Sequence, residues 1–163
     1  MSRKESYNEL LALARKGDSM VSPENIADVM GGTTVLGRNV RSIGDLEDRI
    51  SRGLPRRALR TTVERVFPAA GDARRILFRV IPEATWKRRR TRLSAAESER
   101  TERLARVIAT AEYAWGNRPD AREWLTHPHP ELGGRTPLDS SMTELGARRA
   151  EELLDRLFYG IPG

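Results

Sequence analysis

Helix start signals divide this chain into short helical segments. At Ser22-Pro23 and at Thr136-Pro137, a residue type that caps helices precedes a proline, which is favoured at the first helical position. Ser94 and Glu97 have the spacing of a capping box, in which each side chain accepts a hydrogen bond from the other residue's backbone N–H. No run in the sequence alternates Val, Ile or Thr with polar residues between hairpin turns. We therefore predict an all-α fold.

Apolar residues recur at intervals of three and four along most of the chain, which predicts a series of amphipathic helices. Their predicted bounds are Tyr7–Lys16, Pro23–Met30, Ile43–Arg52, Pro55–Phe67, Asp72–Val80, Pro82–Arg90, Ala95–Trp115, Pro119–Thr126, Pro137–Met142 and Thr143–Phe158. The intervening segment Gly31–Arg41 is rich in Gly and Thr and is predicted to be a loop.

Length and composition limit the class of protein. The 163 residues suffice for one domain or two very small ones. The chain has no cysteine, which excludes disulfides and thiolate metal sites. Its N-terminus is polar, and no apolar run approaches the roughly 20 residues of a membrane span. We expect a cytoplasmic protein with no signal peptide and no membrane contact.

Positive charge is concentrated in the middle of the chain. Residues 54–103 contain 14 Lys and Arg against 6 Asp and Glu, a net charge of +8, whereas the whole chain has a net charge of +6. A local basic surface attracts phosphate backbones or an acidic partner. Because nearly all basic residues of this chain are Arg and few are Lys, the local excess of positive charge also fits a general preference for arginine.

The basic middle contains a pattern typical of a helix-turn-helix. Helices Asp72–Val80 and Pro82–Arg90 flank a tight break, and the second helix of such a motif enters the major groove of DNA. Planar guanidinium groups suit both phosphates and base edges. The candidate DNA-binding residues are Thr85, Trp86, Lys87, Arg88, Arg89, Arg90 and Arg92. A short helix with several basic residues is equally compatible with a solvated surface, so the motif alone leaves both interpretations open.

The C-terminus is unusual because it is apolar. The last predicted helix ends in Phe158-Tyr159-Gly160 and is followed by Ile161-Pro162-Gly163. Most chain ends are polar and frayed. An apolar end either packs on its own domain or enters a partner. Leu153, Leu154 and Leu157 share the apolar face of this helix and also fit internal packing.

The sequence offers little support for an enzyme or a metal site. His127 and His129 are the histidines of the chain, and with Glu131 they could supply two or three metal ligands. The flanking prolines hold this segment extended, and no third histidine or cysteine is present. The acidic residues Glu151, Glu152 and Asp155 fit a solvated helix face. No phosphate loop, nucleophile motif or dinucleotide fingerprint occurs, so we expect a non-enzymatic protein without a cofactor or a metal.

Several patches together resemble one family, the Xre/MbcA/ParS antitoxins. Those that resemble its Xre-like half are Gly53–Leu59, Ile81–Arg89, Leu93–Arg100 and Leu104–Val107. Those that resemble its toxin-binding domain are Ala121–Leu125, Pro130–Leu138 and Gly146–Gly160. The resemblance extends from Ile43 to Gly163 and is specific because so many patches keep their order and spacing. It is greatest for ParS-type antitoxins paired with RES-domain toxins.

The resemblance implies a fold and a role. It implies an Xre-like helix-turn-helix domain at residues 43–116 and a small helical toxin-binding domain at 117–163. Residues 1–42 have no counterpart in the family and are predicted to form an N-terminal helical extension. Such antitoxins bind a co-encoded toxin that consumes NAD or transfers from it, and their C-terminal helix and tail block its NAD cleft. A homodimer, a higher-order complex with toxin, and autorepression through operator DNA are also implied.

The candidate toxin-binding residues combine this resemblance with the apolar C-terminus. They are Leu154, Arg156, Leu157, Phe158, Tyr159, Gly160, Ile161, Pro162 and Gly163, together with Arg135 in the glycine-rich turn. Aromatic residues are frequent interface anchors, and Arg156 could offer its guanidinium to a carboxylate of the toxin. The alternative function is a stand-alone helix-turn-helix regulator that binds DNA and has no toxin partner.

Overall fold

A computed structural model of the chain describes residues 20–160. Its helices are α1 (Pro23–Val29), α2 (Gly32–Leu36), α3 (Ile43–Ser51), α4 (Arg56–Val66), α5 (Ala70–Val80), α6 (Glu83–Arg88), α7 (Ala95–Trp115), α8 (Arg118–Thr126), α9 (Pro137–Ser140) and α10 (Glu144–Tyr159), with a 3₁₀ turn at Pro130–Leu132. Within the described part of the chain, β-pairing is limited to two isolated bridges, so the predicted all-α fold is confirmed. The predicted helix Tyr7–Lys16 and the residues Ile161–Gly163 lie outside the described residues.

Local capping sets where the helices begin. The Ser94 hydroxyl accepts a hydrogen bond from the Glu97 N–H at 3.1 Å, and Glu97 accepts one from the Ser94 N–H at 2.7 Å. Ser22 forms the equivalent capping box at the start of α1, and Thr143 caps α10. These contacts involve residues three apart in sequence, which explains why the predicted starts of these helices agree closely with the observed ones.

The predicted loop Gly31–Arg41 is wrong in part, because it contains the short helix α2. Gly31 and Gly37 bracket this helix with φ angles of +104° and +79°, a left-handed conformation that favours glycine. Leu36 at its end is buried and Val35 packs against the core. Tertiary burial of these two apolar side chains therefore stabilises a helical turn that the local composition does not favour.

Helix α7 is the centre of the molecule. Seven consecutive or nearly consecutive residues between Leu104 and Ala111 are buried, so this stretch is enclosed on all sides. Helices from the N-terminal part of the described chain (α1, α3, α4 and α5) and from its C-terminal part (α8, α9 and α10) pack against it. The buried apolar side chains of both parts form one connected core. The two halves of the described chain are therefore joined through α7.

Candidate functional site

Helix α10 lies too close to the end of α9 for a side chain at Gly146. A Cβ atom at this position would lie 2.0 Å from the carbonyl oxygen of Ser140. The Gly146 N–H donates to the hydroxyl of the N-cap residue Thr143 at 3.1 Å, which sets the direction in which the helix starts. The side chains that then face the core are Ala147, Ala150, Leu153 and Leu154.

A cluster of ion pairs fastens α10 to α7. The guanidinium of Arg106 contacts Glu151 at 2.9 Å, Glu144 at 2.9 Å and Glu102 at 3.2 Å. Arg103 adds a second contact to Glu144 at 3.0 Å. Three carboxylates thus converge on two arginines at the edge of the helix interface. Arginine suits this position because its planar fork donates several hydrogen bonds at fixed angles.

The carboxylates of this cluster differ in protonation behaviour. Burial raises the pKa of Glu102 and of Glu151, and it outweighs the attraction of Arg106 in both cases. Burial also acts on Glu144, but the charge of Arg106 and a hydrogen bond from Arg103 overcome it, so the pKa of Glu144 is lowered. The more enclosed acids Glu102 and Glu151 are therefore protonated more readily than Glu144, which lies at the rim of the cluster.

Helices α7 and α10 run in the same direction and end together. Arg106 of α7 contacts Glu144 at the start of α10, and Tyr113 of α7 stacks with Phe158 at its end, with ring centroids 5.7 Å apart. Phe158 in turn packs edge-on against Tyr159 at 5.3 Å. The C-terminal ends of the two helices therefore meet in an aromatic cluster.

The last turn of α10 extends the apolar face of the helix beyond the core. Leu153 and Leu154 are buried, whereas Leu157, which shares a face with Leu153, is 51% exposed. Arg156 is exposed, and the backbone N–H of Gly160 donates to its carbonyl oxygen. Gly160 ends the helix with a φ of +64°, the left-handed conformation that favours glycine at a helix C-terminus.

Two of the predicted toxin-binding residues are placed differently from the rest. Leu154 has no exposed surface, so its side chain belongs to the core, and the prediction of direct partner contact at this position is corrected. Arg135 is exposed, and its Nε donates to the Leu132 carbonyl at 3.3 Å. Its turn is fastened to α10 by a hydrogen bond from Arg149 to the Glu131 carbonyl. Arg149 is ten residues, roughly 15 Å, from the end of α10, so this contact does not join Arg135 to the C-terminal cluster.

Helices α5 and α6 form the predicted helix pair, with the break at Ile81-Pro82 between them. Trp86 faces inward and is 7% exposed, so its assignment as a DNA-contacting residue is corrected to a core role. The guanidinium of Arg56 on α4 covers its ring at 3.9 Å, and that of Arg60 lies 5.9 Å away. The indole therefore holds α6 against α4.

The predicted basic DNA-binding residues fall into two groups. Arg89 pairs with Glu97 of the α7 capping box at 3.1 Å, and Arg92 donates to the Gly53 carbonyl at 2.6 Å, so both support the fold. Lys87 forms an exposed pair with Glu83 at 2.9 Å. The others, Thr85, Arg88 and Arg90, lie at the surface of α6 or just after it, and Arg88 contacts the Thr85 hydroxyl at 3.4 Å.

Sequence reasoning missed further exposed arginines of the same region. None of them forms an ion pair with a carboxylate in the described residues. They are Arg57, Arg60, Arg74 and Arg75, on α4 and α5. The excess of positive charge in residues 54–103 was the signal that contained them, but the individual positions required the structure.

The histidine segment is structural in this fold. His127 Nδ1 lies 3.0 Å from the Glu123 carbonyl, and His129 Nε2 lies 3.1 Å from the Trp124 carbonyl. The His129 ring also packs on the indole of Trp124, with centroids 5.2 Å apart. In residues 20–160, no group of three or more His, Cys, Asp or Glu side chains could hold a metal ion.

Two family models match this chain in succession. The antitoxin Xre-like helix-turn-helix domain matches residues 45–106, and the antitoxin Xre/MbcA/ParS C-terminal toxin-binding domain matches residues 110–160. The chain belongs to the Xre/MbcA/ParS antitoxin family. The first match contains α4, α5 and α6, and the second begins in the last turns of α7 and ends at Gly160. Membership of this family of antitoxins confirms the prediction of a non-enzymatic protein.

Two proteins named antitoxin Xre are among the relatives of this family member. One, from Pseudomonas putida, is 34% identical over 84 residues, which is 50% of this chain and 53% of that protein. The other, from Yersinia enterocolitica, is 36% identical over 85 residues, or 50% of this chain and 57% of that protein. The chain thus spans little more than half the length of each relative. None of the helices described here is both long enough and apolar enough to cross a membrane.

Proposed function

We propose that this chain is the antitoxin of a type II toxin–antitoxin pair. In this proposal it neutralises a cognate RES-type toxin that consumes NAD or transfers ADP-ribose from it. The end of α10 and the tail Ile161–Gly163 enter the NAD cleft of the toxin and exclude NAD, and this chain performs no chemistry. The toxin-binding domain match at residues 110–160 and the two relatives named antitoxin Xre support the role.

The observation that carries the proposal is the apolar face of α10, which continues past its own core. Leu153 is buried one turn before Leu157, which leaves about half of its surface in solvent. The half-buried rings of Phe158 and Tyr159 follow at once. Apolar side chains at a helix end gain free energy when a partner removes them from water, and aromatic residues often dominate such contacts.

Arg156 supplies the polar component of this surface. It is exposed and forms no ion pair with the described residues, so its guanidinium is available to a partner. A carboxylate that otherwise handles NAD in the toxin is a suitable acceptor for its two parallel N–H groups. The apolar end and the arginine together suggest steric competition with NAD.

The test is NAD consumption by the enzyme that the neighbouring gene encodes, measured with and without this chain. We expect NAD loss that stops when the full chain is added. A chain that lacks Tyr159–Gly163 should keep its helical circular dichroism and melting temperature, because the buried residues of α10 end at Leu154, but should no longer protect NAD. The matched control is Leu145→Ala, since Leu145 is 75% exposed near the opposite end of α10.

The outcomes separate the parts of the proposal. If the shortened chain protects NAD as well as the full chain, the tail does not block the cleft, although the antitoxin role remains. If the neighbouring enzyme consumes no NAD, or consumes it regardless of this chain, the antitoxin proposal for that pair is wrong. The second candidate, a DNA-binding regulator without a toxin, would then take its place.

A specific observation also supports DNA binding, either as autorepression or as the stand-alone second candidate. Helices α4 and α5 and the segment just after α6 carry exposed arginines with no carboxylate partner in the described residues, among them Arg57, Arg74, Arg75 and Arg90. Unpaired cations on one domain attract the phosphates of DNA. We propose operator DNA as the ligand of this surface, with Arg88 and Arg90 retained from the sequence-based set.

The assembly and the domain limits remain part of the proposal. We propose that the chain forms a homodimer, because two-fold symmetric dimers are the commonest soluble oligomers. We also propose that this dimer forms a higher-order complex with the toxin. The proposed division keeps an extension at residues 1–42, a helix-turn-helix domain at 43–116 and a toxin-binding domain at 117–163. Size-exclusion chromatography with light scattering, on the chain alone and with toxin, tests the assembly.

A further inference from the structure

A cleft lies between helices α4, α5 and α6, and the proposed toxin-binding surface at the end of α10 contributes nothing to it. Its volume is about 480 Å³. Sites for small ligands usually have volumes of about 300–1,000 Å³, so this cleft is large enough for one. Four cationic side chains line it, and they are Arg56, Arg60, Arg74 and Lys87. The cleft is therefore a concave site of positive charge.

The acidic residues of the cleft compensate only part of this charge. Glu83 pairs with Lys87 at 2.9 Å, which leaves Glu64 as the second carboxylate that lines the cleft. Within residues 20–160, the three guanidinium groups of the cleft form no ion pair with any carboxylate; they belong to Arg56, Arg60 and Arg74. The cleft therefore has cationic donors in excess and offers a site to an anion.

Two of these guanidinium groups are held close to the same ring. That of Arg56 lies 3.9 Å from the centroid of Trp86, and that of Arg60 lies 5.9 Å from it. The Nε of Arg56 is buried and has no hydrogen-bond acceptor in the described part of the chain. Like charges at short range repel, and a buried donor without an acceptor costs free energy. An anion in the cleft would relieve the repulsion and could supply the acceptor.

The remaining lining of the cleft is apolar. Val63 and Leu77 are buried beneath it, and Phe78 is half-buried, so part of its ring is accessible. Nucleobases stack on aromatic rings of this kind. A concave site with the half-buried cation Arg56 in its wall also suits a small ligand that can enter it better than the convex backbone of a DNA duplex. The lining therefore fits a ligand with both phosphate groups and a flat apolar part.

We propose that this cleft binds a free nucleoside diphosphate or triphosphate. The phosphate groups lie between Arg60 and Arg74, whose planar forks donate paired hydrogen bonds to phosphate oxygens. Arg56 donates from the wall of the cleft, and the base lies against Phe78. This inference goes beyond the proposed antitoxin function and does not depend on it, because none of the proposed toxin-binding residues lines the cleft.

The experiment titrates the full chain with ADP, ATP and adenosine in a calorimeter, at about physiological ionic strength so that diffuse charge is screened. We expect ADP and ATP to bind with a Kd below about 1 mM, and adenosine, which lacks phosphate, to give no heat of binding. Arg60→Ala and Arg74→Ala should each weaken ADP binding at least about tenfold, the size expected for a lost hydrogen bond to a charged group. The matched control is Arg122→Ala, which removes an equally exposed arginine on α8 and should stay within about twofold of the wild type.

A measurement on the unmodified sequence guards against folding defects in the variants. The chain has three tryptophans, and among them Trp86 lines the cleft whereas Trp115 and Trp124 do not. With fluorotryptophan incorporated, the fluorine resonance of Trp86 should shift in proportion to the occupancy by ADP. The resonances of Trp115 and Trp124 should change little. The same spectra recorded with duplex DNA show whether a DNA backbone enters the cleft instead.

Each outcome decides the inference. A shift of the Trp86 resonance with ADP, together with the loss of affinity in Arg60→Ala and Arg74→Ala, supports it. The absence of ADP and ATP binding at about 1 mM overturns it. If Arg122→Ala weakens binding as much as Arg60→Ala, the nucleotide responds only to net charge and the cleft is not its site. If duplex DNA shifts the Trp86 resonance and free nucleotides do not, the cleft holds phosphates of the DNA backbone and the inference is also overturned.

Discussion

The guanidinium of Arg106 lies 2.9 Å from the carboxylate of Glu151, and this contact joins the middle of α10 to the central helix α7. The same guanidinium contacts Glu102 and Glu144, so one arginine compensates charge from two helices. The C-terminal end of α10 can extend beyond the core because its first turns are held in this way. The position of the proposed toxin-binding surface therefore depends on a polar cluster well removed from it.

Replacing Arg106 by methionine should destabilise the fold. The variant keeps most of the volume but leaves three carboxylates facing one another, and in the described residues only Glu144 keeps ion-pair partners, Arg103 and Arg148. Breaking a fully buried pair costs about 3–5 kcal/mol, and we expect roughly 2–3 kcal/mol here because solvent screens part of this cluster. Urea unfolding at neutral pH measures the change. A variant as stable as the wild type would contradict a structural role for the cluster.

Two glutamates of α7 should respond to pH in opposite directions. Burial raises the pKa of Glu102, so its contribution to stability is present below the ordinary glutamate value of 4.5 and is lost as pH rises through the raised pKa. Glutamine does not titrate, so Glu102→Gln removes this loss of stability at higher pH. The free energy of unfolding of the variant, relative to the wild type, should therefore increase between about pH 4.5 and neutrality.

Glu97 is the matched comparison for this experiment. Burial acts to raise its pKa, but hydrogen bonds from the Ser94 backbone and from Arg89, with the charge of Arg89, lower it overall. Its stabilising contribution is present above 4.5, the ordinary value, and is lost as pH falls through the lowered pKa. Glu97→Gln should thus be less stable than the wild type at pH 7, with a difference that shrinks on acidification. Parallel pH profiles for the two variants would contradict the assignment.

A methyl group at Gly146 should not be tolerated. The Cβ of Gly146→Ala would overlap the Ser140 carbonyl, which is backbone and cannot rotate away, so α10 must shift from α9. We expect a loss of about 1–3 kcal/mol in thermal or urea unfolding, the usual cost of overpacking. The control is Gly71→Ala, whose Cβ would have open space within α5 and should raise stability by about 0.5–1 kcal/mol. Equal effects at both positions would rule out this explanation.

The basic residues at the end of α6 and just after it should separate into DNA contacts and structural residues. Replacing Arg88 and Arg90 together by alanine should weaken operator binding and reduce the slope of log affinity against log salt by about 0.9 for each phosphate that the variant no longer neutralises. The melting temperature should stay close to that of the wild type. Arg89→Ala should instead lower the melting temperature, since it removes the partner of the buried Glu97. An unchanged salt slope in the double variant would exclude the proposed binding of phosphates by these two arginines.

Much of the fold could be predicted because its signals are local. The capping residues Ser22, Ser94 and Thr143 act on N–H groups three residues away, so the order and approximate bounds of the helices follow from the sequence alone. The short helix α2 could not be predicted in this way. Its stability depends on the burial of Val35 and Leu36 against residues far away in the chain.

The candidate surfaces were less predictable than the helices. Leu154 and Leu157 both lie on the apolar side of α10, but the first is fully enclosed by the core and the second is about half exposed. Likewise Arg89 and Arg90 are adjacent arginines in the sequence, and Glu97 engages only the first of them among the described ion pairs. Periodicity and composition define which face of a helix is apolar or basic, and they carry no information about how far a neighbouring element extends.

The sequence by itself determined the all-α class, the helix order, the basic middle and the apolar C-terminal end, because each depends on residue type and short spacing. Tertiary structure decided which members of those patterns remain accessible. In the folded chain Trp86 is buried beneath the guanidinium of Arg56, and Arg106 forms ion pairs with carboxylates of α10. The ring of Tyr113 packs on that of Phe158, which is 45 residues later in the chain. The physical reason is that exposure and charge pairing are set by contacts between distant segments, and such contacts exist only after the helices have packed.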